Sequence, residues 1–187
     1  MTPASDAADE EIAAHVQQGN IDSFGILIER YEPKMMRYAR RFLQDSDEMK
    51  DIVQDVFIKA YVNIRSFDTA RRFSPWIYRI AHNELVNTLK KKSLRETISI
   101  FDFDVLFPHI SAKETTDSEL QKEELQKAID SSLSKLSPKY REPLILYYFE
   151  DMGYKQIAEV LQLPVSTVGV RLQRGKALLK ELVKDLK

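Results

Sequence analysis

The chain has 187 residues, of which 43% are hydrophobic and 30% are charged, a composition typical of a globular protein with one or two small domains. Only five glycines and seven prolines are available for turns, whereas helix-forming residues are plentiful, and this predicts an all-α fold. There is no cysteine, which excludes disulfide scaffolds, thiolate metal sites and cysteine nucleophiles.

The net charge of −1 conceals an alternation of sign along the chain. Residues 61–100 hold eight basic and three acidic side chains, and residues 135–187 hold ten and six, whereas the segments before each of them are acidic. Two basic patches favour nucleic acid, but the acidic segments offset the long-range attraction. We therefore expect weak DNA binding by the chain alone and a partner that holds it on DNA.

The N-terminus, MTPASDAADEEIAAH, is acidic and polar, without the basic start and apolar core of a signal peptide. No apolar run approaches the length of a membrane span. We expect a cytoplasmic protein without direct membrane insertion.

Helical periodicity predicts a short helix over residues 10–19 and a second helix from residue 22 or 23 to about residue 43. Asp45, with Glu48 three residues later, has the spacing of a capping box and predicts the start of a third helix. An apolar stripe over residues 52–64 of this helix predicts its buried side.

The opposite face of the third helix combines an acidic patch with two branched apolar side chains. These residues are Asp51, Gln54, Asp55, Ile58 and Val62. An acidic face disfavours DNA, so a functional role for it points to a protein partner, with a plain solvated helix face as the alternative.

The segment Arg71–Lys92, RRFSPWIYRIAHNELVNTLKKK, combines basic and aromatic residues on one predicted helix. Ser74 and Pro75 predict its start. Positive charge at both ends favours phosphate, and exposed rings stack on unpaired bases, each worth roughly 1–3 kcal/mol. The pattern predicts a nucleic-acid surface; the alternative is a set of half-buried core aromatics next to solvated lysines.

Residues 94–118 show no convincing periodicity and predict a linker between two domains. Asp102 and Asp104 lie here at a spacing open to paired catalytic carboxylates, but no nucleophile or metal-binding histidine pair accompanies them. We therefore expect two small helical domains joined by a flexible linker.

The C-terminal part ends in the spacing of a helix-turn-helix. A helix over 119–136 and another opened by Ser137 and Pro138 precede it. Then come a short helix at 154–161, a break at 162–164, and a second helix from about residue 166 to 186. DNA binding by the second helix is one interpretation, and a structural αα-hairpin is the other.

Three stretches together, DIVQDVFIKAY at 51–61, FSPWIYRIAHN at 73–83 and the segment 154–180, resemble bacterial RNA polymerase sigma factors of the extracytoplasmic-function (ECF) group in the sigma-70 family. The resemblance implies a region 2-like domain at 9–93, a linker at 94–118 and a region 4-like helix-turn-helix domain at 119–187. The implied partners are core RNA polymerase (its β′ clamp and β flap), promoter DNA and an anti-sigma factor. Neither catalysis, a cofactor, a metal nor a small-molecule substrate is implied.

The resemblance also implies which residues make each contact. The core-polymerase-binding residues are Asp51, Gln54, Asp55 and Phe57. The residues that capture the flipped −10 strand and its phosphates are Asp68, Arg71, Arg72, Phe73, Trp76, Arg79, Asn83, Asn87, Lys90 and Lys91, with Lys92 beside them. The residues that read the −35 element are Ser166, Thr167, Arg171, Arg174 and Lys176.

Gly169 departs from the family pattern, because a side chain that carries charge toward DNA usually stands there. A glycine inside a helix also costs about 1 kcal/mol relative to alanine. Weak or relaxed −35 recognition is therefore a hypothesis.

Three other classes of protein compete with the sigma factor. A free-standing helix-turn-helix regulator would bind duplex DNA without polymerase, normally as a dimer on a palindrome, and leaves the 71–92 segment unexplained. An enzyme is disfavoured because the sequence offers no set of catalytic residues. It has three scattered histidines, no glycine-rich phosphate loop and no metal-ligand spacing. A helical adaptor or anti-sigma-type binding protein would have dispensable basic patches.

Overall fold

The computed structural model describes residues 6–95 and 129–184, and every regular element in those ranges is helical. The all-α prediction is confirmed. The helices are α1 (Asp9–Gln17), α2 (Asp22–Arg40), α3 (Ser46–Asn63), a 3₁₀ turn (Ile64–Ser66), α4 (Phe73–Arg95), the described part of α5 (129–134), α6 (Pro138–Tyr148), α7 (Tyr154–Leu161) and α8 (Val165–Lys184).

The chain divides into two compact units, the first built on α1 to α4 and the second on α6 to α8. Residues 94 and 95, where the linker was predicted to begin, belong instead to α4, which ends at Arg95. The rest of the predicted linker at 96–118, with Asp102 and Asp104, and most of the predicted helix at 119–136 lie outside the described residues.

The core of the first unit is rich in aromatic rings. Tyr38 packs edge-on against Phe42 and Tyr78, with ring centroids 5.2 and 5.3 Å away. The apolar side of α3 that was predicted over residues 52–64 is buried as expected except at Tyr61, which packs against Phe24 and remains 39% exposed.

The predicted cap of α3 is present. Asp45 accepts hydrogen bonds from the backbone N–H groups of Asp47 and Glu48, both at 2.9 Å. These groups have no partner inside the helix, so the carboxylate fixes where α3 begins.

The predicted start of α4 is wrong by two residues, because Pro75 was expected at the first helical position and the helix begins at Phe73. The backbone N–H of Phe73 donates to Glu10 Oε1 in α1 at 2.8 Å. A side chain 63 residues earlier in the chain therefore caps the helix. Pro75 lies in the first turn, where a missing N–H costs no hydrogen bond.

In the second unit, α6 begins at the predicted Ser137–Pro138 pair, although the Ser137 hydroxyl makes no capping bond. Helical spacing after Ser137 predicts that Leu144, Ile145, Tyr147 and Tyr148 face inward. The prediction is wrong for Tyr147 and Tyr148, which are 37% and 50% exposed. Leu144 and Ile145 are buried as predicted, and Arg141 and Leu146 are buried with them.

Gly175 allows α8 to approach α6 closely. A Cβ atom at this position would lie 3.0 Å from Leu144 Cδ1 and 3.1 Å from the Tyr140 carbonyl oxygen. Only glycine fits at this crossing without a shift, so the sequence fixes the contact between the two helices here.

Candidate nucleic-acid and polymerase interfaces

The loop before α4 is folded by hydrogen bonds of its own. Asp68 Oδ1 accepts from the Ala70 N–H at 3.0 Å, and the Asp68 carbonyl accepts from the Arg71 N–H at 2.9 Å. This turn presents Arg71 and Arg72 to solvent. The carboxylate of Asp68 thus shapes the loop, whereas the two arginines are exposed cations, the kind of group that binds phosphate.

The aromatic residues of this region do not all face outward. Phe73 is fully buried at 0% exposure and Tyr78 is at 1%, which corrects the expectation that the rings of this segment are exposed. Their rings are needed in the core, where Phe73 packs edge-on against Tyr31 at 5.3 Å. Trp76 is half-buried and lies against Phe67 and Phe73 at 5.1 and 5.4 Å. Trp76 is therefore the ring of this set that is open to a ligand.

The outer face of α4 carries the predicted polar residues. Asn83, Asn87, Lys90 and Lys91 are exposed and Arg79 is half-buried. The opposite side carries the residues that helical spacing predicts to pack inward, namely Ile77, Ile80, Ala81, Leu85 and Leu89. All are buried except Ile80, which is half-buried. One continuous surface of amide and cationic groups thus runs along the helix and lies on the same face as Trp76.

The predicted docking face of α3 is solvent-exposed. Asp51, Gln54 and Asp55 are exposed, and Ile58 and Val62 follow on the same face with 52% and 71% of their area exposed. We call these five residues the α3 stripe.

Phe57, which the family resemblance placed with the docking residues and the apolar pattern over 52–64 placed on the buried side, is only 8% exposed. Its ring packs inward and supports the helix from beneath. Lys59 Nζ lies 2.5 Å from Glu84 Oε2, so an ion pair ties α3 to α4. The α3 stripe and the outer face of α4 therefore belong to one packed body.

The helix-turn-helix is closed by local hydrogen bonds at its turn. Gln162 adopts a positive φ of 53°, and the Leu163 N–H donates to the Ala158 carbonyl at 3.0 Å. This is the Schellman arrangement that ends a helix, although glycine usually occupies the left-handed position. At the other end of α7, Gln156 Oε1 accepts from the Gly153 N–H at 2.9 Å. Both ends of α7 are thus fixed.

The N-terminal half of α8 presents most of the predicted −35 residues. Ser166 and Arg174 are exposed, and Thr167 and Arg171 are half-buried. Thr167, Arg171 and Arg174 follow one another at helical spacing and share a face. Val168 and Leu172 hold the helix to the unit and are at most 2% exposed.

Lys176 differs from the other predicted −35 residues because it lies on another flank of α8. Its ammonium group is hydrogen bonded to Tyr148, and this bond raises the pKa of Lys176. The Tyr147 ring lies 4.8 Å from that of Tyr148 and 5.7 Å from that of Tyr154. We call these three residues the tyrosine patch.

Gly169 lies on the same flank of α8 as Lys176. A Cβ atom there would lie 3.6 Å from Tyr154 Cε2, which is an ordinary van der Waals contact. The absence of a side chain leaves these ring atoms of Tyr154 uncovered on this side.

Among residues 6–95 and 129–184, no group of histidine, aspartate and glutamate side chains has the geometry of a metal site. Within the same ranges, no helix is both long and apolar enough to cross a bilayer.

An all-helical chain with a basic helix face and a helix-turn-helix belongs to the class of DNA-binding transcription proteins. The family model for Sigma-70 region 2 matches residues 27–95, and that for Sigma-70 region 4 matches residues 126–179. The chain belongs to the ECF sigma factors of the sigma-70 family. It is an alternative sigma factor, which binds core RNA polymerase and directs it to promoter DNA.

Curated relatives are similar over nearly their whole length. The ECF RNA polymerase sigma factor SigW of Bacillus subtilis is 34% identical over 176 residues, which cover 91% of this chain and 94% of the relative. The ECF RNA polymerase sigma-E factor of Haemophilus influenzae is 31% identical, with 98% and 99% covered. The solved structure of CnrH in complex with the cytosolic domain of CnrY is 27% identical and has a TM-score of 0.70. The match covers 96% of this chain and 99% of CnrH.

Sequence reasoning did not identify several residues that shape these surfaces. Glu10 and Gln17 contact the loop and the start of α4 through bonds that span 63, 47 and 50 residues. The bond between Lys176 and Tyr148 was also missed. No residue spacing or sequence motif predicts such contacts, because each depends on how separate helices pack.

Proposed function

We propose that this sigma factor uses three separate surfaces: the α3 stripe for core polymerase, the loop at 67–72 with the outer face of α4 for the −10 strand, and the start of α8 for the −35 duplex. The observation that carries the proposal is the outer face of α4, where amide and cationic groups share one side with the accessible ring of Trp76.

The α3 stripe has the chemistry of a protein-docking surface. Its acidic half repels DNA, while Ile58 and Val62 together form an exposed apolar area on a helix that is otherwise well packed. A partner helix with basic and apolar residues fits this stripe, and we assign it to the β′ clamp of core polymerase. Phe57 supports the stripe from the buried side.

The surface on α4 suits single-stranded DNA. Arg71, Arg72 and the lysines at 90–92 neutralise phosphates, and Trp76 offers a ring on which an unpaired base stacks. Asn83 and Asn87 supply donors and acceptors for base edges. Unstacking a base costs on the order of a few kcal/mol per step, and stacking on Trp76 together with phosphate neutralisation offsets this cost.

The ion pair between Lys59 and Glu84 links the two surfaces of the first unit. Because α3 and α4 are tied together, docking of the α3 stripe on polymerase would fix the −10 surface relative to the enzyme. This explains how a chain with almost balanced charge acts on DNA when polymerase holds it there.

The start of α8 suits a major groove. Thr167, Arg171 and Arg174 share a face, and Ser166 lies at the N-terminal end of the helix, where base contacts in helix-turn-helix proteins are made. Lys176 lies on the flank with the tyrosine patch, so we assign it to phosphate contact beside the groove.

The wider organisation follows the family. We assign residues 9–93 to the −10 and polymerase-binding domain, 94–118 to a linker, and 119–187 to the −35 domain, with the β flap as the second polymerase contact. The chain acts without catalytic chemistry of its own and works in the cytoplasm.

CnrH was solved with the cytosolic domain of CnrY, and the sigma factor RpoE of Bartonella quintana with the anti-sigma factor NepR. By analogy we assign an anti-sigma partner to this chain.

The test is multi-round transcription by core RNA polymerase on fragmented genomic DNA of the host, with and without the protein, followed by sequencing of RNA 5′ ends. New starts with paired upstream elements support the proposal. Duplex binding without polymerase, and no dependent start, would instead favour a free-standing regulator.

Matched variants separate the three surfaces. Asp55→Lys should weaken core binding, with Glu29→Lys, an exposed acidic position on α2, as the control. Arg174→Ala should weaken only −35 binding, with the exposed Lys180→Ala further along α8 as its control.

A further inference from the structure

The first helix holds both ends of the segment that leads into α4. Gln17 Nε2 donates to the carbonyl oxygens of Ile64 and Phe67, each at 2.7 Å. Glu10 Oε1 accepts from the Phe73 N–H at 2.8 Å. One side chain of α1 therefore fixes where the segment begins, and another fixes where it ends.

Helix α1 is itself held firmly. Its inner face is buried at Ile12, Ala13 and Val16. Asp9 pairs with Arg30 Nη1 at 2.5 Å and accepts from the Tyr31 hydroxyl at 2.6 Å. These contacts make α1 a rigid support on α2.

The spacing along α1 fits this arrangement. Glu10 and Gln17 are seven residues apart, which is two helical turns or about 10 Å, and they lie on one side of the helix. The carboxylate of Glu10 is also favourable at the N-terminus of α4, because a helix N-terminus carries partial positive charge.

We propose that Glu10 and Gln17 are positioning residues for promoter opening: they hold the loop at 67–72 and the first turn of α4 so that Arg71, Arg72 and Trp76 meet the unpaired −10 strand together. This inference rests on the function proposed above for that loop. The matched region 2 segment starts at residue 27, so α1 lies before it.

The test uses the holoenzyme on a promoter found by the transcription experiment. Gln17→Glu keeps the size of the side chain but removes both N–H donors and faces two carbonyl oxygens with a carboxylate. Gln18→Glu makes the same change at the next residue, which is exposed. Glu10→Ala is compared with the exposed Glu11→Ala, and Glu10→Gln keeps an acceptor and should restore most of the function.

Four quantities are measured: open-complex formation by permanganate reactivity, affinity for core polymerase, melting temperature, and amide hydrogen exchange at Phe73. We expect Gln17→Glu and Glu10→Ala to reduce open-complex formation by about tenfold, a size set by the lost hydrogen bonds. Core affinity should change by less than about twofold, as for surface substitutions. Exchange at Phe73 should rise in Glu10→Ala and return toward the wild-type rate in Glu10→Gln.

The outcomes separate the two levels of inference. If the wild-type holoenzyme forms no open complex, the proposed function itself fails. If it does and Gln17→Glu behaves like Gln18→Glu, the positioning role is overturned. A fall in core affinity and melting temperature that accounts for the loss of open complex would also overturn it, because the residues would then act only in folding.

Discussion

The Tyr31 hydroxyl donates a hydrogen bond to Asp9 Oδ2 at 2.6 Å and so joins α2 to α1 in the first unit. Tyr31 is 1% exposed, and burial, followed by the bond to Asp9, raises the pKa of its hydroxyl well above the ordinary value of 10.0. The hydroxyl therefore stays protonated in the folded chain under conditions that ionise it in the unfolded chain.

This pKa shift predicts a loss of stability at alkaline pH. A raised folded pKa gives stability that is fully present below the unfolded value of 10.0 and is lost as pH rises toward the folded value. Tyr31→Phe should be about 1–2 kcal/mol less stable at pH 7, since a bond to a charged acceptor is lost. The difference should shrink above about pH 10.

Denaturant unfolding at pH 7 and at alkaline pH measures both effects. The control is Tyr61→Phe, at an exposed tyrosine of the same unit. It should leave the free energy of unfolding near the wild-type value at both pH values. A constant difference between wild type and Tyr31→Phe at all pH values would contradict the assignment.

Two glycines of α8 should respond oppositely to alanine. A Cβ at Gly169 meets only ordinary contacts, so Gly169→Ala should stabilise the second unit by up to about 1 kcal/mol. At Gly175 the Cβ meets Leu144 and a backbone carbonyl, so Gly175→Ala should cost about 1–3 kcal/mol through overpacking. Urea unfolding of the two variants checks the prediction, and a shift of the same sign in both would refute it.

The left-handed residue after α7 predicts a stabilising substitution. Gln162 has a φ of 53°, which strains a residue with a Cβ. Gln162→Gly should raise the free energy of unfolding by about 1 kcal/mol. Gln162→Ala keeps the strain and should leave stability near wild type, so thermal unfolding of the pair separates the backbone effect from loss of the side chain.

The position of Gly169 predicts the effect of restoring a charge there. Gly169→Arg places a cation beside Lys176 on the flank with the tyrosine patch, so −35 duplex binding should tighten and depend more steeply on salt, by about one additional phosphate contact. Gly169→Ala controls for helix stabilisation. No gain on any −35 variant would count against the hypothesis that glycine weakens recognition here.

The sequence determined the elements whose signals are local. The all-α class, the limits of α7, and the start of α3 at Asp45 followed from periodicity and capping, because these depend on residues within a few positions of one another. The exposed side of α3 followed in the same way, since the apolar residues over 52–64 identify the buried side and leave the α3 stripe outside. The family resemblance added what the patterns alone left open, namely the polymerase and promoter partners.

Only the tertiary structure decided which side chains of the −10 and −35 surfaces reach solvent and which contacts hold them in place. Helix α4 begins at Phe73 because Glu10 caps it from α1, and the same packing buries the Phe73 ring and leaves Trp76 accessible. Helical spacing already separates Lys176 from Thr167 and Arg171, but only the packing of α8 brings Tyr148 to Lys176. Such contacts join helices that are distant in sequence, so no local pattern encodes them; the packing of the helices alone brings them together.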